Sequence, residues 1–234
     1  MTKEELKSLV NKNIKAVDDN SVSLLESLVD KTLEENEKFN LTAIKDKESF
    51  RELMVYDSLL PLKYIELSEN NSVLDVGTGA GFPGLPLAIC SNAKYTLLDS
   101  TSKKIRHICC VIDEFKLKNV IAISARAEDF ASQNREQFDY VIARAVAPLN
   151  ILLELCVPFV KVGGTFIALK GAKSDEELDL AKSAIKKLDI EVVSVNEKEL
   201  PLSKEKRTII LFRKLKPTNK KYPRQFSEIK SKPL

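Results

Sequence analysis

Five short apolar runs in this chain do not alternate with polar residues: Val73-Leu-Asp-Val-Gly77, Tyr95-Thr-Leu-Leu-Asp99, Val120-Ile-Ala-Ile-Ser124, Phe138-Asp-Tyr-Val-Ile-Ala143 and Thr165-Phe-Ile-Ala-Leu-Lys170. A strand with one wet face reads apolar-polar-apolar, whereas a strand covered on both faces has no such period. Helix-like segments separate the runs, and parallel strands need crossovers of that kind. Five such units predict an α/β fold with a Rossmann-like, doubly wound, mostly parallel sheet over residues 65–214. After a helix from Asp175 to Leu188, runs near Glu191 to Val195 and Thr208 to Phe212 have no helix between them and predict an antiparallel edge. Ahead of the sheet, Thr2-x-x-Glu5 and Ser23-x-x-Glu26 read as capping boxes that open amphipathic helices. A further helix is expected from Lys47 to Leu60, stopped by Pro61. Residues 1–64 thus read as an N-terminal helical cap.

Charge is unevenly placed. The 234 residues hold 37 Lys+Arg and 34 Asp+Glu, yet eight of the basic residues and only one acidic residue lie between Arg213 and Leu234. Residues 215–234 therefore read as a basic tail, and a segment of that kind is expected to meet phosphates. Pro217, Pro223 and Pro233 argue against a packed element there, so the tail is expected to be mobile unless bound. With 44% hydrophobic residues the chain is not a disordered one. Its longest apolar stretches, such as Ile151 to Val160, are interrupted by Glu154 and too short for a bilayer. The Met-Thr-Lys-Glu-Glu start has no apolar signal region. A cytoplasmic protein without membrane association is expected. Cys90, Cys109, Cys110 and Cys156 form no Cys-x-x-Cys pair and are expected to be reduced and buried. His107 is the only histidine, expected at the surface or with its hydrogen bonds met, and no metal site is expected.

The most specific stretch is Leu74-Asp75-Val76-Gly77-Thr78-Gly79-Ala80-Gly81-Phe82-Pro83-Gly84, between the first strand and a helix. Glycines there let the backbone turn sharply and approach a ligand closely. A literal Gly-x-Gly-x-x-Gly runs from Gly79 to Gly84, so a nicotinamide dinucleotide must be weighed. It is disfavoured, because the strand ends at Gly77 and Asp75 would repel a pyrophosphate. The Asp-x-Gly-x-Gly-x-Gly order resembles the first motif of class I S-adenosylmethionine (SAM) methyltransferases, and a carboxylate such as Asp75 suits a ligand that bears an ammonium and a sulfonium. Asp99 closes the second strand 22 positions after Gly77, near the ~20-residue offset at which an acidic residue reaches ribose hydroxyls. A helix N-cap is the plainer role for Asp99. Glu128, after the third strand, is placed for an adenine amino group or for solvent.

The fourth strand narrows the acceptor. No Asn/Asp-Pro-Pro-aromatic motif for exocyclic amines occurs there, nor a Pro-Cys nucleophile for cytosine C5. The strand ends instead Ile142-Ala143-Arg144-Ala145-Val146-Ala147-Pro148, which aims Arg144 into the ligand crevice of such folds. Lys170 ends the next strand similarly. Taken with Phe39-Asn-Leu-Thr-Ala-Ile44, Tyr56-Asp-Ser-Leu-Leu60, Gly81-Phe-Pro-Gly-Leu-Pro86, Leu97-Leu-Asp-Ser100 and Lys220-Lys-Tyr-Pro-Arg224, the chain resembles the bacterial 16S rRNA guanine-N7 methyltransferases, the RsmG or glucose-inhibited division protein B family. Members often carry His where Met54 stands. The resemblance implies SAM contacts from Gly77, Phe82, Ala127, Glu128 and Arg144, with Gly79 and Gly81 completing the loop and Arg144 at the catalytic junction. It implies a guanine in the decoding-region loop as target, in 16S rRNA, the 30S subunit or its assembly intermediate. Lys103, Lys104, Lys170, Lys220, Lys221 and Arg224 are the expected RNA contacts, and a monomer is expected. A nicotinamide oxidoreductase, or an RNA-binding protein with a relic nucleotide fold, are the rival readings.

Overall fold

A computed structural model describes residues 1–14, 17–144 and 146–234. Residue 145 of the Ala143 to Leu149 segment lies outside the described residues. Helices α1 (Lys3–Asn13) and α2 (Asp19–Phe39) open the chain. Thr2 and Glu5 form the expected capping box. The second box is not formed: α2 starts earlier, its N-cap is Asp18, and Ser23 lies inside the helix with its hydroxyl donating to the Asp19 carbonyl. The expected helix after Lys47 is one continuous winding in changing pitch. It comprises α3 (Lys47–Phe50), a π turn (Arg51–Tyr56), α4 (Asp57–Leu59) and a 3₁₀ turn (Leu60–Lys63) that contains Pro61 in its first turn instead of ending before it.

Strand β1 (Ser72–Val76) leads through the glycine loop to α5 (Gly84–Ile89), then β2 (Lys94–Asp99), α6 (Ser102–Phe115), β3 (Val120–Ser124), α7 (Ala127–Phe130) and β4 (Phe138–Arg144). There follow α8 (Leu149–Cys156), β5 (Val160–Lys170), α9 (Ser174–Lys187), β6 (Ile190–Glu199), β7 (Lys206–Lys214) and α10 (Phe226–Ser231). Among the described residues the strands form one sheet in the order β3-β2-β1-β4-β5-β7-β6, parallel from β3 to β5. The hairpin β6–β7 enters backwards, so β7 pairs antiparallel with both β5 and β6.

The unalternating runs have the expected cause. On β4, Val141 and Ala143 belong to one buried cluster while Ile142 belongs to the other; on β5, Phe166 and Ala168 oppose Ile167 and Leu169. One face is covered by the N-terminal helices, α5 and α6, the other by α8, α9 and α10. Leu6, Leu28 and Phe50 share a core with Leu97 and Ile167, so no packing boundary divides the cap at residue 64 from the sheet. Glu52 ties the cap to the far end of the chain, accepting the backbone N–H groups of Leu202 and Ser203.

The tail departs most from expectation. Tyr222 and Ile229 are buried in the same cluster as Leu153 and Phe212, and Arg224 grips the fully buried Glu154. Arg135 donates to the carbonyls of Thr218 and Tyr222. The prolines shape a strap; they do not keep it off the domain. Cys109 and Cys110 are exposed on α6, where burial was expected. His107 is buried, and neither ring nitrogen meets a partner, against both expectations for it.

Candidate active site at the switch point of the sheet

The parallel strands end at one edge, and strand order reverses between β1 and β4, where doubly wound sheets leave a crevice. Two cavities open along this edge, and Gly77 and Lys104 line both. The smaller, about 300 Å³, lies past β2 and β3 and is walled by Asp99, Ala127, Glu128 and, from α10, Phe226. The larger, about 650 Å³, is walled by Thr78, Gly79, Phe82 and Arg144 on one side and by Leu41 and Met54 of the N-terminal part on the other.

The glycine loop is held by its own hydrogen bonds. Gly77 and Thr78 donate N–H to the Leu98 carbonyl at 2.8 and 3.0 Å. Asp99 accepts from Gly79 N–H at 3.0 Å with one oxygen and from Thr101 N–H at 2.8 Å with the other. Each carboxylate oxygen can accept again, so Asp99 both fixes the loop and keeps acceptor capacity at the cavity wall. Gly79 has φ of +64°, and a Cβ added there meets no protein atom within 4 Å. A side chain at this position would be strained by the positive φ and would project into open space at the wall of the larger cavity.

Asp75 has a different place from the one expected. It is fully buried beneath the loop and lines neither cavity; one oxygen accepts from Thr78 Oγ1 at 2.6 Å and Gly84 N–H at 2.9 Å. Burial pushes its carboxyl up to about 6, against the pull of those two donors. Gly84 is required for this approach, since a Cβ would stand 2.8 Å from that oxygen and 2.2 Å from Leu97 Cδ2. The arrangement also bears on the cofactor. Dinucleotide folds use the first N–H groups of the helix after β1 for pyrophosphate, and here the first of them is already bound to a carboxylate.

Arg144 ends β4 as expected. It donates to the Leu53 carbonyl at 3.3 Å and to Asp57 at 3.2 Å, while its other terminal nitrogen lies 3.5 Å from Met54 Sδ. Met54 thus places a weak acceptor beside the guanidinium. Asp57 is 3% exposed and also accepts from Arg207 Nε at 3.1 Å, and Arg207 in turn pairs with Glu205 at 2.8 Å. Burial pushes the Arg144 guanidinium below its ordinary value, opposed by Asp57 and Asp75. Arg207, Glu205, Glu177 and Phe226 are wall residues that sequence reasoning missed; Arg207 sits in a hairpin with no motif around it. Phe82 stands at the wall with its ring edge-on to Phe50, centroids 5.3 Å apart.

Lys104 points into the cleft, 3.9 Å from Asp99. Lys170, expected to hold RNA, is 8% exposed, donates to the Ala147 carbonyl at 2.9 Å and pairs with Glu177 at 2.6 Å, which itself accepts from Leu149 N–H. It braces the β4–α8 connection. Arg224 is likewise removed from the expected RNA contacts by Glu154. Lys103, Lys220 and Lys221 remain exposed. Among the described residues no group of His, Cys, Asp and Glu is arranged to hold a metal ion.

Solved structures share this architecture. A SAM-dependent methyltransferase from Aquifex aeolicus matches with a TM-score of 0.54 at 20% identity, covering 70% of this chain and 92% of that one. M. jannaschii TYW2 in complex with AdoMet matches with a TM-score of 0.53 at 20% identity, over 64% and 71%. The sheet order, the glycine loop and the cleft at its switch point give the chain the fold of the class I SAM-dependent methyltransferases. A sequence model of the rRNA small subunit methyltransferase G family matches residues 21–210. A protein named ribosomal RNA small subunit methyltransferase G from Alkaliphilus metalliredigens is 42% identical over 221 residues, 93% of this chain and 92% of that protein. One of the same name from Bacillus cytotoxicus is 39% identical over 228 residues, 96% and 95%. The chain belongs to the rRNA small subunit methyltransferase G family.

Proposed function

We propose that this protein transfers the methyl group of SAM to N7 of a guanine in the decoding-region loop of 16S rRNA, acting in the cytoplasm as a monomer on the 30S subunit or its assembly intermediate. Bound SAM supplies an electrophilic methyl on a positively charged sulfur. The smaller cavity would hold its adenosine, with Asp99 accepting from the ribose hydroxyls and Glu128 from the adenine amino group, beside Ala127. The backbone of Gly77 and Gly79, with Phe82, would hold the methionine part, and Gly81, which donates its N–H to the Thr78 carbonyl and lines neither cavity, would act by closing the turn. Asp75 acts through the loop, by fixing Thr78 and Gly84.

The observation that carries the N7 reading is the pairing of every carboxylate at the wall of the larger cavity. Among the described residues these are Asp57, Glu177 and Glu205, and each is bonded to a cation. No side chain there stands ready as a general base. Guanine N7 has a free lone pair at neutral pH and needs none, whereas an exocyclic amine or a ribose hydroxyl must lose a proton. The protein's contribution is alignment, which in well-oriented systems supplies up to ~7–11 kcal/mol. Arg144, at the junction of loop and larger cavity, is placed to donate to guanine O6 and to fix the base against the methyl. Lys220 and Lys221 would meet phosphates, giving affinity and salt dependence without sequence choice. Mass spectrometry of 16S rRNA from a strain lacking this gene tests the reading: one N7-methylguanine is expected to disappear, and retention of all of them would contradict it.

A further inference from the structure

The carboxyl-terminal strap brings an aromatic ring to the smaller cavity. Phe226, the first residue of α10, is the one aromatic side chain among the described residues that line it. Other apolar lining comes from Val76 and Leu98 of the sheet, Ala125 and Ala127 after β3, and Leu155 of α8. The seat of Phe226 is set by its neighbours on the strap. Two positions before it, Arg224 holds the buried Glu154 through its backbone N–H and its guanidinium, and the residue after Glu154 is the wall residue Leu155. Tyr222 and Ile229 are 5% and 0% exposed, whereas Phe226 is only half-buried. The strap is thus anchored by other side chains, and the ring keeps open surface at the cavity.

The polar groups of this cavity can satisfy only the edges of an adenosine, Asp99 at the ribose hydroxyls and Glu128 at the adenine amino group. The faces of the base are apolar, and proteins commonly hold such faces on aromatic side chains. The strap lies outside residues 21–210, which the family model matches, so the pattern shared by the family assigns Phe226 no role.

We infer that Phe226 covers a face of the adenine of SAM, which makes the strap part of the cofactor site and couples its docking to cofactor binding. The inference rests on the placement of adenosine in the smaller cavity proposed above. Coupling of this kind is reciprocal: what the docked strap adds to SAM affinity, SAM adds to strap docking. The chain has no tryptophan, so Phe226→Trp keeps an aromatic ring and supplies a sole indole fluorophore at the wall. Its emission is followed during titration with SAM, with methionine, and with 5′-methylthioadenosine, which has the adenosine without the amino-acid part. Calorimetry gives Kd of both nucleosides for wild type and Phe226→Leu, and hydrogen exchange of the strap amides is measured with and without saturating SAM. The expected result is a saturable change of emission with both nucleosides and none with methionine. In Phe226→Leu, Kd should rise about five- to tenfold, by the same factor for SAM and 5′-methylthioadenosine. Strap exchange should slow in SAM, less so in that variant. Emission unmoved by SAM that calorimetry shows to be bound, an unchanged Kd in Phe226→Leu, or a loss for SAM alone would overturn the role of Phe226 and leave cofactor binding standing. Strap exchange indifferent to SAM would overturn the coupling. Wild-type SAM affinity in Asp99→Ala would overturn the placement of adenosine, and the inference with it.

Discussion

Replacing Arg224 by alanine is expected to cost the fold far more than loss of an ordinary surface arginine. Glu154 is fully buried on α8, and Arg224 meets it three times: Nε to one oxygen at 2.8 Å, Nη2 to the other at 2.6 Å, and its backbone N–H at 3.0 Å. Burying a carboxylate is tolerable only with such partners. Alanine keeps the backbone donor and removes the guanidinium, leaving a charge in an apolar cluster. Breaking a buried pair on one side costs ~3–5 kcal/mol, against ~0.2–1 kcal/mol for an exposed pair. Arg224 itself is 17% exposed, so the lower end, about 3 kcal/mol, is expected. At ~2–4 °C per kcal/mol for a chain of this size, Tm falls by about 6–12 °C. Circular dichroism melts and urea titrations measure it. Adding Glu154→Gln to the alanine variant should recover at least half of the loss, because the stranded charge is gone. A fall within about 1 kcal/mol, or no recovery in the double variant, would refute the assignment of the tail as a packed strap.

Removal of all residues after Lys216 extends the same logic: it takes away Tyr222, Ile229 and the Phe226 wall of the smaller cavity, so both Tm and SAM affinity are expected to drop, and intact affinity by calorimetry would contradict that wall. Asp99→Ala frees the Gly79 and Thr101 N–H groups from a charged acceptor, each such bond being worth ~1.5–3 kcal/mol; SAM affinity should fall at least ~10²-fold, and an unchanged value would sink the ribose role. Asp75 is raised to about 6 from 3.8, so the folded protein keeps a proton that the unfolded chain releases. Its contribution to stability is therefore full below pH 3.8 and is lost as pH rises through 6, by about 3 kcal/mol. The stability of wild type relative to Asp75→Asn should decline by that amount across the window; parallel curves would refute the shift.

The sheet was legible because its residues report a local condition, burial on both faces, in the absence of a period. The glycine loop was legible for the same reason: backbone shape and close approach are dictated at the positions themselves. What stayed hidden depends on distant partners. The tail's prolines and lysines gave no sign that Tyr222 and Ile229 would find a core, and the partner of Arg224 lies 70 residues away. Its one signal was Glu154, a carboxylate inside an apolar run, which demands a cation from elsewhere. Lys170 looked like a free cation at a strand end because its partner, Glu177, arrives from the next helix. Ser23 satisfied the capping-box pattern, but α2 starts behind Asp18, whose side chain accepts from Ser21 N–H with no Glu three residues on to announce it, so Ser23 falls inside the helix. Asp75 stands beside the loop in sequence, but its side chain is buried under the glycines, bonded to Thr78 and Gly84, and lines neither cavity.

The most direct test of the central claim is transfer itself. Purified protein is incubated with methyl-labelled SAM and 30S subunits from a strain that lacks this gene, and the 16S rRNA is digested and analysed for labelled nucleosides. The account predicts label in N7-methylguanosine at a single decoding-region position, and loss of that label with Asp99→Ala. Label in another nucleoside, or none, would contradict it.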